Sequence, residues 1–138
     1  MNDVSLGVYL FFHGECEEAM NFYKSIFGGE LTLNRYGDVP ADPRMGEVDK
    51  NWLMHCSLDG GDINLMGSDT AKASPQAKKV SLSLGGTDEA KMRKIFDGLS
   101  AGGKVFMPLN KESWGDIFGS FTDKYGIEWM MNIGSEKA

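Results

Sequence analysis

Apolar and polar positions run through the same series of patterns twice along this 138-residue chain. Residues 4–12 (VSLGVYLFF) read as a buried strand. From Glu15 to Phe27, the side chains of Cys16, Ala19, Met20, Tyr23 and Phe27 recur at i, i+3, i+4, i+7 and i+11, the spacing of one helix face. Glu15, Glu17 and Glu18 stand in the first turn, where the macrodipole favours anions, and Gly28-Gly29 stops the helix. Three strand-like segments follow at 30–36, 51–58 and 62–67, with Gly60-Gly61 turning between the last two.

The second half repeats this order. Val80-Ser81-Leu82-Ser83-Leu84 is a strand; Thr87 or Asp88 caps a helix whose stripe is Met92, Ile95, Phe96 and Leu99; Gly102-Gly103 ends it. Strands near 104–109, 116–122 and 127–133 complete the set, the last two joined by a tight turn at Asp123-Lys124-Tyr125-Gly126. Each half therefore reads β-α-β-β-β, and such internal duplication outweighs local propensity as evidence for a fold. The expected class is α+β: paired βαβββ modules form curved mixed sheets with helices on the convex side. One domain spans 1–138, with module one at about 4–67, a polar linker at 68–79 and module two at about 80–134. The concave faces need cover, so two modules or two chains must face each other, and a homodimer is the expected assembly. The long loop 37–50 (GDVPADPRMGEVDK) marks a lid, a dimer contact or a disordered segment.

Composition narrows the partners. A net charge of −6 argues against a nucleic-acid surface, and Lys78-Lys79 with Lys91 to Lys94 are too sparse to build one. No apolar run is long enough to cross a membrane, and Val8 to Phe12 lacks the basic flank of a signal peptide, so a cytoplasmic location is the default. Cys16 and Cys56, far apart and in no CxxC arrangement, read as free, small core residues. Nine methionines suit a core, and also a cavity that accepts varied apolar ligands.

Further words in the chain point to a family. These are Tyr9-Leu10-Phe11-Phe12 with Gly14, Glu17-Glu18-Ala19, Phe22-Tyr23, Phe27-Gly28-Gly29, His55, Leu65-Met66 and Ser68-Asp69. Later come Gly102-Gly103-Lys104-Val105, Met107-Pro108-Leu109, Trp114-Gly115-Asp116, Phe118-Gly119, Thr122-Asp123, Tyr125-Gly126-Ile127 and Trp129-Met130. In this order they resemble the vicinal oxygen chelate superfamily (glyoxalase, bleomycin-resistance and extradiol dioxygenase proteins), and within it the PhnB-like branch. Members of that branch are often labelled ubiquinone-pathway methyltransferases. That label implies S-adenosylmethionine, but no GxGxxG follows a strand here, and the Gly-Gly pairs follow helices.

The resemblance also implies a divalent ion on the concave surface, held by His or Gln with Glu from the first and last strands of each module. Carried over, those positions fall near Gly7 to Tyr9, at Asn64, at Lys79 and at Met130, none a usual ligand type, so no metal or other cofactor is expected. Strand alternation places Glu128, Met130 and Asn132 on one face, with Asp62, Asn64, Met66, Ser81 and Ser83 by the same rule, and His55 with Ser57 as the polar set of the third strand. His13 is assigned a capping or surface role, Trp129 a core role, and Asp116 and Asp123 turn roles. Trp114 and Phe118 either pack the junction or wall a pocket. The ligand-binding candidates are Tyr9, His55, Asn64, Met66, Ser81, Trp114, Phe118, Glu128 and Met130. The favoured function is binding of a small apolar or aromatic molecule without the usual metal, in the manner of bleomycin-resistance proteins. The alternative is a divalent-metal-dependent lyase, isomerase or dioxygenase with a site rebuilt around His55 and Glu128.

Overall fold

In the computed structural model, which describes residues 7–40, 46–71 and 80–134, the chain divides into two units, 1–75 and 76–138. The first carries β1 (Tyr9–Phe12), α1 (Cys16–Phe27), β2 (Glu30–Arg35), a 3-10 turn at Tyr36–Asp38, β3 (Leu53–Asp59) and β4 (Leu65–Asp69). The second carries β5 (Leu82–Gly86), α2 (Glu89–Ser100), β6 (Lys104–Lys111), β7 (Ile117–Thr122) and β8 (Glu128–Ile133). Each unit holds one four-stranded mixed sheet, in the order β1-β4-β3-β2 or β5-β8-β7-β6. The first and last strands of each unit pair in parallel, and the remaining pairs are antiparallel. The βαβββ repeat and the α+β class thus hold. Among the described residues no helix is long and apolar enough to cross a membrane.

Both helices form where the apolar spacing puts them. Cys16, Ala19, Met20, Tyr23 and Phe27 are the buried side chains of α1, and Met92, Ile95, Phe96 and Leu99 those of α2. Asp88 is the cap of α2, accepting the Lys91 N–H at 3.2 Å. Gly28 stops α1 at φ +78°, its N–H donating to the Lys24 carbonyl at 2.8 Å. Opposite α1 the sheet buries Leu10, Phe12, Cys56, Leu58 and Leu65; opposite α2 it buries Phe121, Trp129, Met131 and Ile133. Phe96 meets Phe121 edge to face, ring centroids 4.8 Å apart. Each such side chain taken from water contributes about 1.5–3 kcal/mol.

Strand limits shift for identifiable reasons. β1 opens at Tyr9, where Val8 offers only its carbonyl, to the Met66 N–H; residues 4–6 lie outside the described residues. β5 begins two residues late, because pairing with β8 sets Leu82 against Trp129 and Leu84 against Met131, while Val80 is exposed. Asp62 and Asn64 belong to the turn before β4, and the Asn64 Oδ1 accepts the Gly60 N–H at 3.3 Å. β4 then runs on to Asp69, opposite Phe12. β6, the outer strand of its sheet, keeps an irregular register on β7, with shifts between Val105 and Met107 and between Met107 and Asn110.

Asp69 is 1% exposed and ties four segments together. Its Oδ1 accepts the N–H groups of Gly14 (2.8 Å) and Cys16 (2.9 Å), and its Oδ2 that of Leu53 (3.0 Å). Its own carbonyl accepts the Tyr36 hydroxyl at 2.7 Å. Burial, then the nearby Asp69 charge, raise the pKa of that phenol and keep it a donor. Beside this corner, Arg35 grips Glu17 of α1 through two 2.9 Å bonds, which lower the Glu17 pKa.

Two outcomes follow. Asp69→Ala strands three backbone donors in the interior and lowers unfolding free energy by about 3 kcal/mol or more, read by urea denaturation. Glu17→Gln lowers stability at neutral pH only. The folded Glu17 carboxyl titrates below its unfolded value, so its contribution is complete above the unfolded pKa and is lost as pH falls through the folded one. Melting curves of wild type and Glu17→Gln should therefore converge in acid.

Candidate functional site

Because strand side chains alternate, each sheet presents a second face, turned from its helix. In the first unit that face carries Tyr9 and Phe11 of β1, His55 and Ser57 of β3, and Met66 and Ser68 of β4. Tyr9 lies opposite Met66, and Met66 opposite Ser57. The Tyr9 hydroxyl and His55 Nδ1 share a 3.1 Å hydrogen bond whose donor depends on the imidazole tautomer. Phe11 leans on Tyr9 at 5.0 Å between centroids. Tyr9 and Phe11 are exposed and His55 is half-buried.

In the second unit the matching face carries Ser83, Phe118, Ser120, Glu128, Met130 and Asn132. Met130 sits between Ser83 on β5 and Ser120 on β7. Asn132 donates to Asp116 Oδ2 at 2.9 Å, so Asp116 braces this face instead of capping a nearby turn as its sequence context suggests. Trp114, in the turn between β6 and β7, is 60% exposed and meets Phe118 edge to face at 6.1 Å. Asp123 does keep its turn, accepting the N–H groups of Tyr125 and Ile127, and it also accepts the indole N–H of buried Trp129 at 2.9 Å.

One hydrogen bond in each unit sets the copies in register. Thr70 N–H donates to the Phe12 carbonyl at 2.8 Å, and Gly134 N–H to the Gly86 carbonyl at 2.9 Å. Counting back from these, Met66 corresponds to Met130, Asn64 to Glu128, Ser57 to Ser120, His55 to Phe118 and Tyr9 to Ser83. The counterpart of Met130 is thus Met66, not Asn64, and the central trio of each face is a methionine, a serine and a first-strand hydroxyl residue. A thioether and hydroxyls do not make a site for a hard divalent ion, which wants imidazole and carboxylate donors. Asn64 is engaged by its turn, and Lys79 lies outside the described residues. Among the described residues no group of three or more His, Cys, Asp or Glu could hold a metal ion.

Of the sequence candidates, Tyr9, His55 and Met66 share the open face of the first unit, and Phe118, Glu128 and Met130 that of the second, with Trp114 against Phe118. Asn64 and Asp62 are turn residues, and Ser81 precedes β5. His13 holds the Thr70 carbonyl at 2.8 Å and packs on Trp52, a structural role. Ser120, Phe11 and the brace at Asp116 add to these candidates: alternation from Tyr9 reaches Phe11 and aligning the halves on their methionines reaches Ser120, whereas the Asp116–Asn132 contact depends on strand pairing. Part of loop 37–50, residues 41–45, lies outside the described residues.

Comparison with known proteins agrees with this geometry. The model of the 3-demethylubiquinone-9 3-methyltransferase family matches residues 5–132. Protein PA1353 from Pseudomonas aeruginosa is 35% identical, with 96% of this chain and all of that one covered and a TM-score of 0.78. The PhnB protein from Bacillus cereus is 25% identical over 95% of this chain and 100% of that one, TM-score 0.77. A glyoxalase/bleomycin resistance protein/dioxygenase family enzyme from Burkholderia phytofirmans PsJN shares the fold at 12% identity, over 91% and 94% of the two chains, TM-score 0.60.

The internal register supplies a test of how far His55 is structural. Its counterpart is Phe118, so His55→Phe should change stability by less than about 1 kcal/mol, read by urea denaturation, since the half-buried site accepts a ring of similar size.

Proposed function

This chain belongs to the 3-demethylubiquinone-9 3-methyltransferase family of PhnB-like proteins, in the vicinal oxygen chelate superfamily, and from that premise we propose that it binds a small apolar or aromatic molecule on the open sheet faces, without the superfamily's usual ion. The observation that carries this reading is the duplicated trio: Met66 with Ser57 and Tyr9, and Met130 with Ser120 and Ser83. Thioethers adapt to varied apolar shapes, and hydroxyls at their side orient a polar substituent. Exposed aromatics at the rim, Phe11 and Tyr9 in one unit and Trp114 in the other, add ring surface for stacking.

Methyl transfer, which the family's description names, finds less support in these residues. Helix N-termini that would receive an anionic cofactor end are already occupied: Asp69 takes the N–H groups at the start of α1, and Asp88 caps α2. Gly28 and Gly102 adopt positive φ just after helices, where they serve as stops. We extend the reading to a homodimer in which a second copy helps to cover exposed apolar surface.

Tag-free protein should contain far less than one equivalent of any divalent metal and should bind a planar aromatic probe such as anilinonaphthalene sulfonate. Tyr9→Ala or Met66→Ala should weaken that binding about tenfold, a loss of roughly 1.4 kcal/mol. A stoichiometric ion that disappears in both His55→Ala and Glu128→Ala would overturn the reading in favour of the metal-dependent alternative.

A further inference from the structure

Two sulfurs lie together in the interior, well away from the open faces in chemistry and purpose. Cys16 is the first residue of α1 and Cys56 lies in β3, 40 positions later, yet their Sγ atoms are 3.4 Å apart and both residues are 0% exposed. The floor beneath them is Gly67 of β4: a Cβ there would stand 3.2 Å from Cys16 Sγ and 3.5 Å from Cys56 Sγ. The Cys56 Sγ also reaches the Gly67 carbonyl at 3.4 Å. Glycine therefore leaves the room in which the two thiols meet. We propose that Cys16 and Cys56 form a redox pair, which a hydroperoxide oxidises to an intramolecular disulfide and a small-molecule dithiol restores.

The geometry makes this an internal reaction. Closing the gap to a bond of about 2 Å requires sulfur movement on the order of 1 Å, within reach of the side-chain torsions. Either thiol can react first, because either sulfur can donate in the Sγ–Sγ hydrogen bond and the donor holds the other as a thiolate. That thiolate attacks the peroxide, breaking the O–O bond, and becomes a sulfenic acid while the other oxygen leaves as hydroxide and takes up a proton to become water. The second sulfur, releasing its proton, then attacks the sulfenic sulfur and expels the remaining oxygen as water. Two electrons pass from the sulfurs to the peroxide. In the return, a dithiol gives two electrons and two protons and itself closes to a disulfide. Both sulfurs are buried, so the oxidant reaches them only when the start of α1 lifts from the sheet, an opening opposed by the Asp69 bonds to the Gly14 and Cys16 N–H groups, and the oxidation is accordingly slow.

Treating the full chain with hydrogen peroxide and counting thiols in denaturant should show a fall from two per chain to none, with both regained after dithiothreitol. Peptide mapping under non-reducing conditions should join the Cys16 and Cys56 peptides of one chain. Cys16→Ser and Cys56→Ser should each abolish that bridge; should either variant fail to fold, the wild-type map alone decides. The proposal is overturned if both thiols survive a dose that oxidises dithiothreitol completely in the same buffer. Bridges found only between chains, or sulfinic acids without any bridge, overturn it equally.

Discussion

The first unit depends on a carboxylate taken out of water and given back its hydrogen bonds by the backbone. Removing Asp69 from solvent is costly unless every lone pair finds a donor, and here three N–H groups from two different segments supply them. That requirement fixes where β1 turns into α1 and where β3 begins. It also spends the amide groups that a helix N-terminus would otherwise offer to an anionic ligand. The second unit reaches the same topology differently. Ile133 stands where Asp69 would, Asp88 caps its own helix, and the buried carboxylate is displaced to Asp123, which holds the β7–β8 turn and the Trp129 indole. A duplicated fold has thus kept its register while moving its polar anchors.

Helices and the repeat were legible in the chain because period and punctuation agreed: an apolar stripe on one face, five residues in the first helix and four in the second, each followed by a glycine pair. Strand ends were less legible. Ser68 and Asp69 look like the start of a polar linker, yet both are buried in β4, and for Asp69 that burial rests on hydrogen bonds that hydropathy does not see. Asn64 looked like a face residue by alternation; the turn before β4 breaks the alternation count. Asp116 sits beside a turn in sequence, and only the pairing of β7 with β8 brings Asn132 to it. The meeting of Cys16 with Cys56 was invisible for the same reason, since contact between residues 40 apart depends on the docking of helix on sheet.

The open faces of the two copies agree only in part. The methionine and serine at the centre are common to both, whereas Tyr9 and His55 stand in one unit where Ser83 and Phe118 stand in the other. The first face pairs a phenol with an imidazole; the second pairs rings, Trp114 on Phe118, beside the Asp116–Asn132 brace.

The irregular outer strand β6 carries a consequence for the molecule's behaviour in a crowded solution. A straight, apolar sheet margin templates the addition of foreign strands. Here Pro108 withholds a donor, two register breaks bend the ladder, and Lys104 and Lys111 place like charge at either end. That margin is a poor seed for fibrils, although Val105, Phe106 and Met107 leave it greasy. Any companion molecule drawn to those side chains must therefore dock by shape, and cannot simply extend the sheet.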